Sequence, residues 1–367
     1  KNQKLKIIVA GCVAQAEGKA MLRRQPIIDA IIGPQAYQVL PKVLSLKSDK
    51  NKIFLEFQEE EKFSKLGHNR NKALLSSFIT IQEGCDKFCS FCVVPFTRGA
   101  EYSRYADDII NEAKILSKKG CREIILLGQN VNAYYGKDRY GKKINLADLI
   151  QSLEKIESLE RISYTTSHPA DMSLDLIDLH RTSKKLNPYL HLPVQSGSDS
   201  ILKNMNRKYS VKDYLSIINK IRKKVPNIAL SSDFIVGFPG ETKKDFHNTL
   251  QLVQEVKFAH AYSFKYSKRI GTKADRIECK LSEHEKDERL QILQGLLNEQ
   301  KKDFNKSFIG RELDILYKGK GKKNNQFRGT TRWMQTVVFD GRKEDLKNVF
   351  KVKINGAFDN CLMGELV

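Results

Sequence analysis

Long apolar runs are missing from this sequence. No stretch of about 18 or more apolar residues occurs, so there is no candidate membrane span. No signal peptide is visible in it either, and the first residue is Lys1 rather than Met. That start reads as the interior of a longer protein, through truncation or a split reading frame. Acidic residues are in deficit: 43 Asp and Glu stand against 64 Lys and Arg, a formal charge of +21. A lysine-rich proteome would produce such a count, and so would a polyanionic partner, nucleic acid first. Histidines number seven, with no pair at helical ligand spacing. Seven cysteines without a secretory segment point away from disulfides and toward a reducing, cytoplasmic setting.

What is present is a soluble-type composition, 40% hydrophobic over 367 residues, enough for two or three domains. Lys6–Ala10 reads as a buried strand ending in Gly11-Cys12, followed by a helix over Ala14–Arg24. A second strand, Ile27–Ile32, and a helix over Gln35–Leu46 complete a small α/β unit over residues 1–46. Residues 47–73 are charged and read as a linker, with room for one short strand near Ile53–Phe57. From residue 74 strands and helices alternate. The strands are Ser77–Ile81, Glu123–Leu127, Arg161–Thr166, Tyr189–Pro193, Ala229–Val236 and Ala259–Tyr266. Six such units predict a partial, open (β/α)6 barrel over 74–304, with polar clusters at the carboxyl ends of its strands. Asp107 and Thr242 read as helix N-caps. The charges of the long helix Ser282–Phe304 read as a solvated face. Residues 305–367 show short strands and glycines, a small β-barrel.

One loop carries the chemistry. Gly84–Arg98 reads G-C-D-K-F-C-S-F-C-V-V-P-F-T-R, with Cys85, Cys89 and Cys92 at C-x3-C-x2-C spacing. Thiolates are soft ligands suited to iron–sulfur clusters. Three of them hold three irons of a cubane and leave the fourth open to chelate a small molecule, here the amino and carboxylate groups of S-adenosylmethionine (SAM). A structural zinc site is the plainer alternative, but it wants a fourth ligand and favours C-x2-C pairs. Tyr317–Trp333 interleaves bases with aromatics: Lys318, Lys320, Lys322, Lys323, Arg328 and Arg332 with Phe327 and Trp333. Cations meet phosphates and rings stack on unpaired bases, so this mixture suits single-stranded RNA. An exposed basic hairpin without a partner is the bland alternative.

The cysteine spacing resembles the signature of the radical SAM superfamily, in which Phe91 would lie near the adenine. Gly84–Arg104, Gly128–Tyr134, Tyr164–Pro169, His191–Ser198, Ser231–Thr242 and Thr331–Val338 are similar to the MiaB family of tRNA methylthiotransferases. H-L-P-V-Q-S-G-S at His191–Ser198 looks more like that branch than like relatives acting on threonylcarbamoyl-adenosine or a ribosomal-protein aspartate. The terminal module is similar to a TRAM domain.

The resemblance implies a methylthio group added at C2 of N6-isopentenyladenosine beside the anticodon. It implies two 4Fe-4S clusters, SAM, a tRNA anticodon stem-loop as partner and a reducing electron donor. The chain would act as a monomer, without a membrane. Gln129, Ser167, Gln195, Asp233 and Glu241 would line the SAM site. The second cluster belongs to the N-terminal domain, where Cys12 matches the last of three family cysteines. The other two fall before Lys1. The expectation is therefore a remnant N-terminal domain, and a chain that cleaves SAM without completing methylthiolation. A non-catalytic RNA-binding remnant is the rival from another class.

Overall fold

The computed structural model describes residues 5–45, 52–56, 74–323, 325–341 and 348–367. Six parallel strands dominate it: Ser76–Thr80, Glu123–Leu127, Arg161–Tyr164, Tyr189–His191, Ala229–Val236 and His260–Lys265. The first three form one sheet and the last three another. A single parallel bridge, Ile162 to Leu186, joins the two series. Among the described residues the first and last strands do not pair, so the barrel stays open. A strand covered by helices on one side and facing the barrel interior on the other can be apolar on both faces. Glu-Ile-Ile-Leu-Leu at 123–127 is the clearest case, with Ile124 and Leu126 fully buried.

The helices follow from local signals. Asn145, Ser210, Thr242 and Ser282 each form a capping box with an acidic residue three positions on. Asp107 differs from its reading as an N-cap: Tyr105 holds that position and Asp107 lies in the first turn. The predicted strand ends at Thr166 and Pro193 retreat to Tyr164 and His191, because the following residues turn into site loops.

At the N-terminus Ile8–Ala10, Ala30–Ile32 and Lys52–Phe54 make a three-stranded parallel sheet. The first sheet therefore continues into the stretch read as linker. Most of the remainder of 47–73 lies outside the described residues.

The long helix Glu283–Lys306 corrects another expectation. Its Lys286 and Arg289 are buried, not solvated. Arg289 is drawn inward by Glu241, at 2.6 Å.

Residues 312–366 form a closed five-stranded barrel, with strand order Glu312–Lys320, Gln326–Thr330, Thr336–Asp340, Leu362–Leu366, Val349–Ala357. It meets the open barrel at the amino ends of the parallel strands. Arg161 donates to the carbonyls of Thr330 and Asp314, at 2.8 and 2.7 Å. Lys318 pairs with buried Glu123 at 2.6 Å. Arg332 donates to the carbonyl of Lys184 at 2.6 Å, and Trp333 Nε1 to that of Asn227 at 2.7 Å.

Candidate iron–sulfur and SAM site

The cysteine loop crosses the carboxyl end of the first barrel strand, where barrels of this kind build their sites. Its entry is fixed by Gln82. That side chain donates to the Gly84 carbonyl at 2.8 Å and accepts from the backbone N–H groups of Gln129 and Asn130. The Gly84 N–H in turn donates to Gln129 Oε1 at 2.8 Å. Gly84 has φ +83°, and a Cβ there would meet the Ala100 carbonyl oxygen at 2.0 Å. Glycine is thus required twice over, by conformation and by space. Further along, the Ser90 N–H donates to the Met205 carbonyl and Ser90 Oγ to that of Asn204.

The three thiols lie within electrostatic reach of one another, and each sulfur faces an N–H donor. Cys85 accepts from the Lys87 backbone. Cys89 accepts from Arg207 Nη1 and Cys92 from the Val94 N–H, each at 3.4 Å. Burial pushes the Cys85 thiol up to about 11 and raises that of Cys92. As free thiols they would stay protonated, so thiolate here calls for a cation to hold it. Soft sulfurs with hydrogen bonds aimed at them are the donor set of an iron–sulfur cluster, and the residues fit that group. Among the described residues no three His, Cys, Asp or Glu side chains converge on a single-ion site. A lone tetrahedral zinc would hold its sulfurs about 3.8 Å apart.

Behind Cys89 the buried Arg207 also donates to the Pro193 carbonyl at 2.6 Å and to Tyr209 Oη at 2.9 Å. In front of the loop Lys87 pairs with Asp171 at 2.6 Å, and Asn130 Nδ2 donates to the other Asp171 oxygen at 2.7 Å. Burial, reinforced by Asp171 and Asp86, raises Glu101 to about 7.

The residues expected to line the SAM site divide. Phe91 is half-buried and meets Phe238 edge-on at 6.5 Å, beside Ile235. Ser167 is buried, and its Oγ has no partner among the described residues. Gln195 takes a left-handed φ of +75°. Its backbone accepts from the Ile235 N–H and donates to the Asp233 carbonyl, both at 2.9 Å. Asp233 is part-exposed, 3.6 Å from His191 Nε2. Gln129 has its side chain on the cysteine loop, as above.

Glu241 is a correction: its side chain accepts from the Gly237 N–H at 2.8 Å and is locked to Arg289. It shapes the Gly237–Gly240 turn from inside the protein. Cys12 sits across from the helix that follows the loop, and Arg98 Nε donates to its sulfur at 3.4 Å.

The RNA-binding set also divides. Lys320, Lys322, Lys323 and Arg328 are exposed. Phe327 is a correction: it is only 5% exposed and belongs to the terminal barrel's core, because its strand alternates inward at that position. Trp333 packs on Phe308 at 5.2 Å and bonds to Asn227, so its ring fastens the two barrels. Lys318 and Arg332 are likewise engaged across that junction.

Sequence reasoning missed Gln82 and Arg207, while Asn130 stood in the polar cluster Gly128-Gln129-Asn130 at a strand end without an assigned role. Gln82 follows the first barrel strand directly, and that position was the one signal available. Arg207 gave none, standing 118 residues from the cysteine it touches.

The Radical SAM superfamily model matches residues 79–253. The chain is 50% identical over 363 residues to the tRNA-2-methylthio-N(6)-dimethylallyladenosine synthase of Rickettsia canadensis (strain McKiel), covering 98% of this chain and 81% of that relative. It is 51% identical to the enzyme of the same description from Rickettsia bellii (strain RML369-C), with the same coverage. Among solved structures, methylornithine synthase aligns over 64% of this chain and 65% of its own at 16% identity, with a TM-score of 0.42. The cobalamin-dependent SAM radical enzyme OxsB, solved with aqua-cobalamin and SAM, aligns over 79% of this chain and 43% of its own at 13% identity, with a TM-score of 0.49.

Proposed function

Because the chain belongs to the radical SAM family of tRNA-2-methylthio-N(6)-dimethylallyladenosine synthases, we propose that it adds a methylthio group to N6-isopentenyladenosine beside the anticodon of tRNA. The observation that carries this reading is the loop Gly84–Arg98, where three thiols with aimed N–H donors share one strand end. Cys85, Cys89 and Cys92 would hold the 4Fe-4S cluster, and Cys12 would be one of three ligands of a second. When bound, the first cluster and SAM supply one-electron reductive cleavage of a carbon–sulfur bond, chemistry that belongs to the cofactors.

The chain's own residues do the rest. Gln82 and Gln129 fix where the loop starts. Arg207 holds Cys89 and presents a positive charge behind it. Phe91, Ser167, Gln195 and Asp233 line the SAM site. Lys320, Lys322, Lys323 and Arg328 neutralise RNA phosphates. Among the described residues no helix is long and apolar enough to cross a membrane. The reading includes a cytoplasmic, monomeric enzyme supplied by a reducing partner.

The test is anaerobic reconstitution with iron and sulfide, then incubation with SAM, reductant and isopentenylated tRNA. Mass spectrometry should find 5′-deoxyadenosine, the product of SAM cleavage, with the parent protein. The Cys89→Ser change should abolish 5′-deoxyadenosine formation. Cleavage of SAM that survives that change would overturn the assignment.

A further inference from the structure

Three buried polar atoms near the carboxyl ends of neighbouring strands have no partner among the described residues: Asn130 Oδ1, Ser167 Oγ and His168 Nε2. Their residues are 1%, 5% and 6% exposed. Buried polar groups are satisfied in the great majority of cases, and one that is not asks for a cause. Here three cluster where the chain passes from Leu127 to Ala133 and from Tyr164 to Asp171. These two stretches touch directly, since the Val131 N–H donates to the Thr166 carbonyl at 2.9 Å.

His168 is the most sharply defined of the three. Its backbone N–H donates to Asn132 Oδ1 at 2.8 Å, and Asn132 Nδ2 donates back to its carbonyl at 2.9 Å. Its Nδ1 accepts from the Ala170 N–H at 3.2 Å. A neutral imidazole that accepts at Nδ1 carries its proton on Nε2. Burial, together with the positive charges of Arg207 and Lys87, drives its pKa down to about 2, so the ring stays neutral. Its ring and that of Tyr209 meet in a T-shaped contact at 5.6 Å, and Tyr209 accepts from the arginine that reaches Cys89. The result is a rigid N–H donor, shielded from water, with Arg207 nearby and with Lys87 already matched by Asp171. An unfilled N–H donor beside an unfilled hydroxyl, with the Arg207 guanidinium close by, fits an anionic oxygen.

We propose that His168 Nε2–H, with the Ser167 hydroxyl beside it, binds an anionic oxygen of the ligand held at the cysteine loop, either the carboxylate of SAM or a phosphate of the RNA. This rests on the function proposed above, and it adds a ligand-binding residue rather than a new reaction.

Two isosteres separate a binding role from a structural one. In H168N the amide oxygen can replace Nδ1 and keep the Ala170 contact, but the Nε2 donor is gone. In H168Q the amide nitrogen can reach the Nε2 position, and the Ala170 contact is lost. Equilibrium binding to reconstituted, unreduced protein is measured in two arms, one with SAM and one with a synthetic isopentenylated anticodon stem-loop. Neither arm requires turnover. H168N should weaken one of the two by roughly ten- to a hundredfold, while H168Q stays within about threefold of the parent. The weakened arm identifies the source of the oxyanion. Parent-like binding of both probes by H168N overturns the proposal. So does the reverse pattern, in which H168Q fails and H168N does not, and so does a loss in both arms with a lowered unfolding midpoint. A parent protein that binds neither probe would sink the proposed function itself.

Discussion

Replacing Arg289 by Met tests the buried pair that removed Glu241 from the SAM site. The Glu241 side chain is 1% exposed and that of Arg289 is 9%, with 2.6 Å between them. Arg289 also donates to the Glu241 carbonyl at 3.2 Å. Removing one partner of a buried pair costs about 3–5 kcal/mol, because the other charge is left without compensation. In the parent the Glu241 carboxyl is already raised above its ordinary value, by burial first, against the Gly237 N–H and Arg289. Without Arg289 it rises further. The folded chain then keeps a proton that the unfolded chain, titrating near 4.3, has released. Stability linked to that proton is present at low pH and is lost as pH rises through the folded value. R289M should therefore lose about 3–5 kcal/mol near pH 8 and only about 1–2 kcal/mol near pH 5.5. Urea unfolding of parent and variant, followed by far-UV circular dichroism at both pH values, reads this directly. Adding E241Q to R289M should recover much of the loss and flatten the pH dependence, while E241Q alone should leave SAM affinity unchanged. An equal loss at both pH values, or a weakened SAM affinity in E241Q, would refute the reasoning.

Other consequences are checked more simply. G84A must adopt φ +83° and displace the Ala100 carbonyl, so iron bound per chain after anaerobic reconstitution should fall well below the parent's; full loading would contradict the loop geometry. W333A removes a ring packed on Phe308 and the bond to Asn227. It should cost about 2–4 kcal/mol and expose the junction between the barrels to limited proteolysis. Alanine at Lys320, Lys322, Lys323 and Arg328 together should lower the slope of log affinity against log salt for tRNA by about 3. An unchanged slope would take the RNA contact away from this hairpin.

What the sequence made legible was local. The cysteine spacing and the glycine before it sit on one short loop, and the alternation of strand and helix needs only a window of a dozen residues. The long helix misled because its charges look alike in sequence, and only Glu241, 48 residues earlier, decides that Arg289 turns inward. Aromatic residues misled for a related reason. Phe327 and Trp333 have the composition of a base-stacking surface, yet a small barrel of few residues must fill its core and its junction with the rings it has. Arg207 was invisible because the contact that gives it meaning closes only when the fourth strand lies down beside the fifth.

The terminal barrel is bolted on at Glu123 and Arg161, where the parallel strands begin, while the thiols lie where they end. The strands that link the two ends, Ser76–Thr80 and Glu123–Leu127, have five residues each, a run of roughly 17 Å. Lys320 lies two residues beyond Lys318 on the same strand, so grip and chemistry are set that far apart, like the jaws of a calliper. A short hairpin seated at one jaw leaves the other empty. Trimming the RNA helix from its far end should therefore leave turnover intact until one particular length, and then end it abruptly.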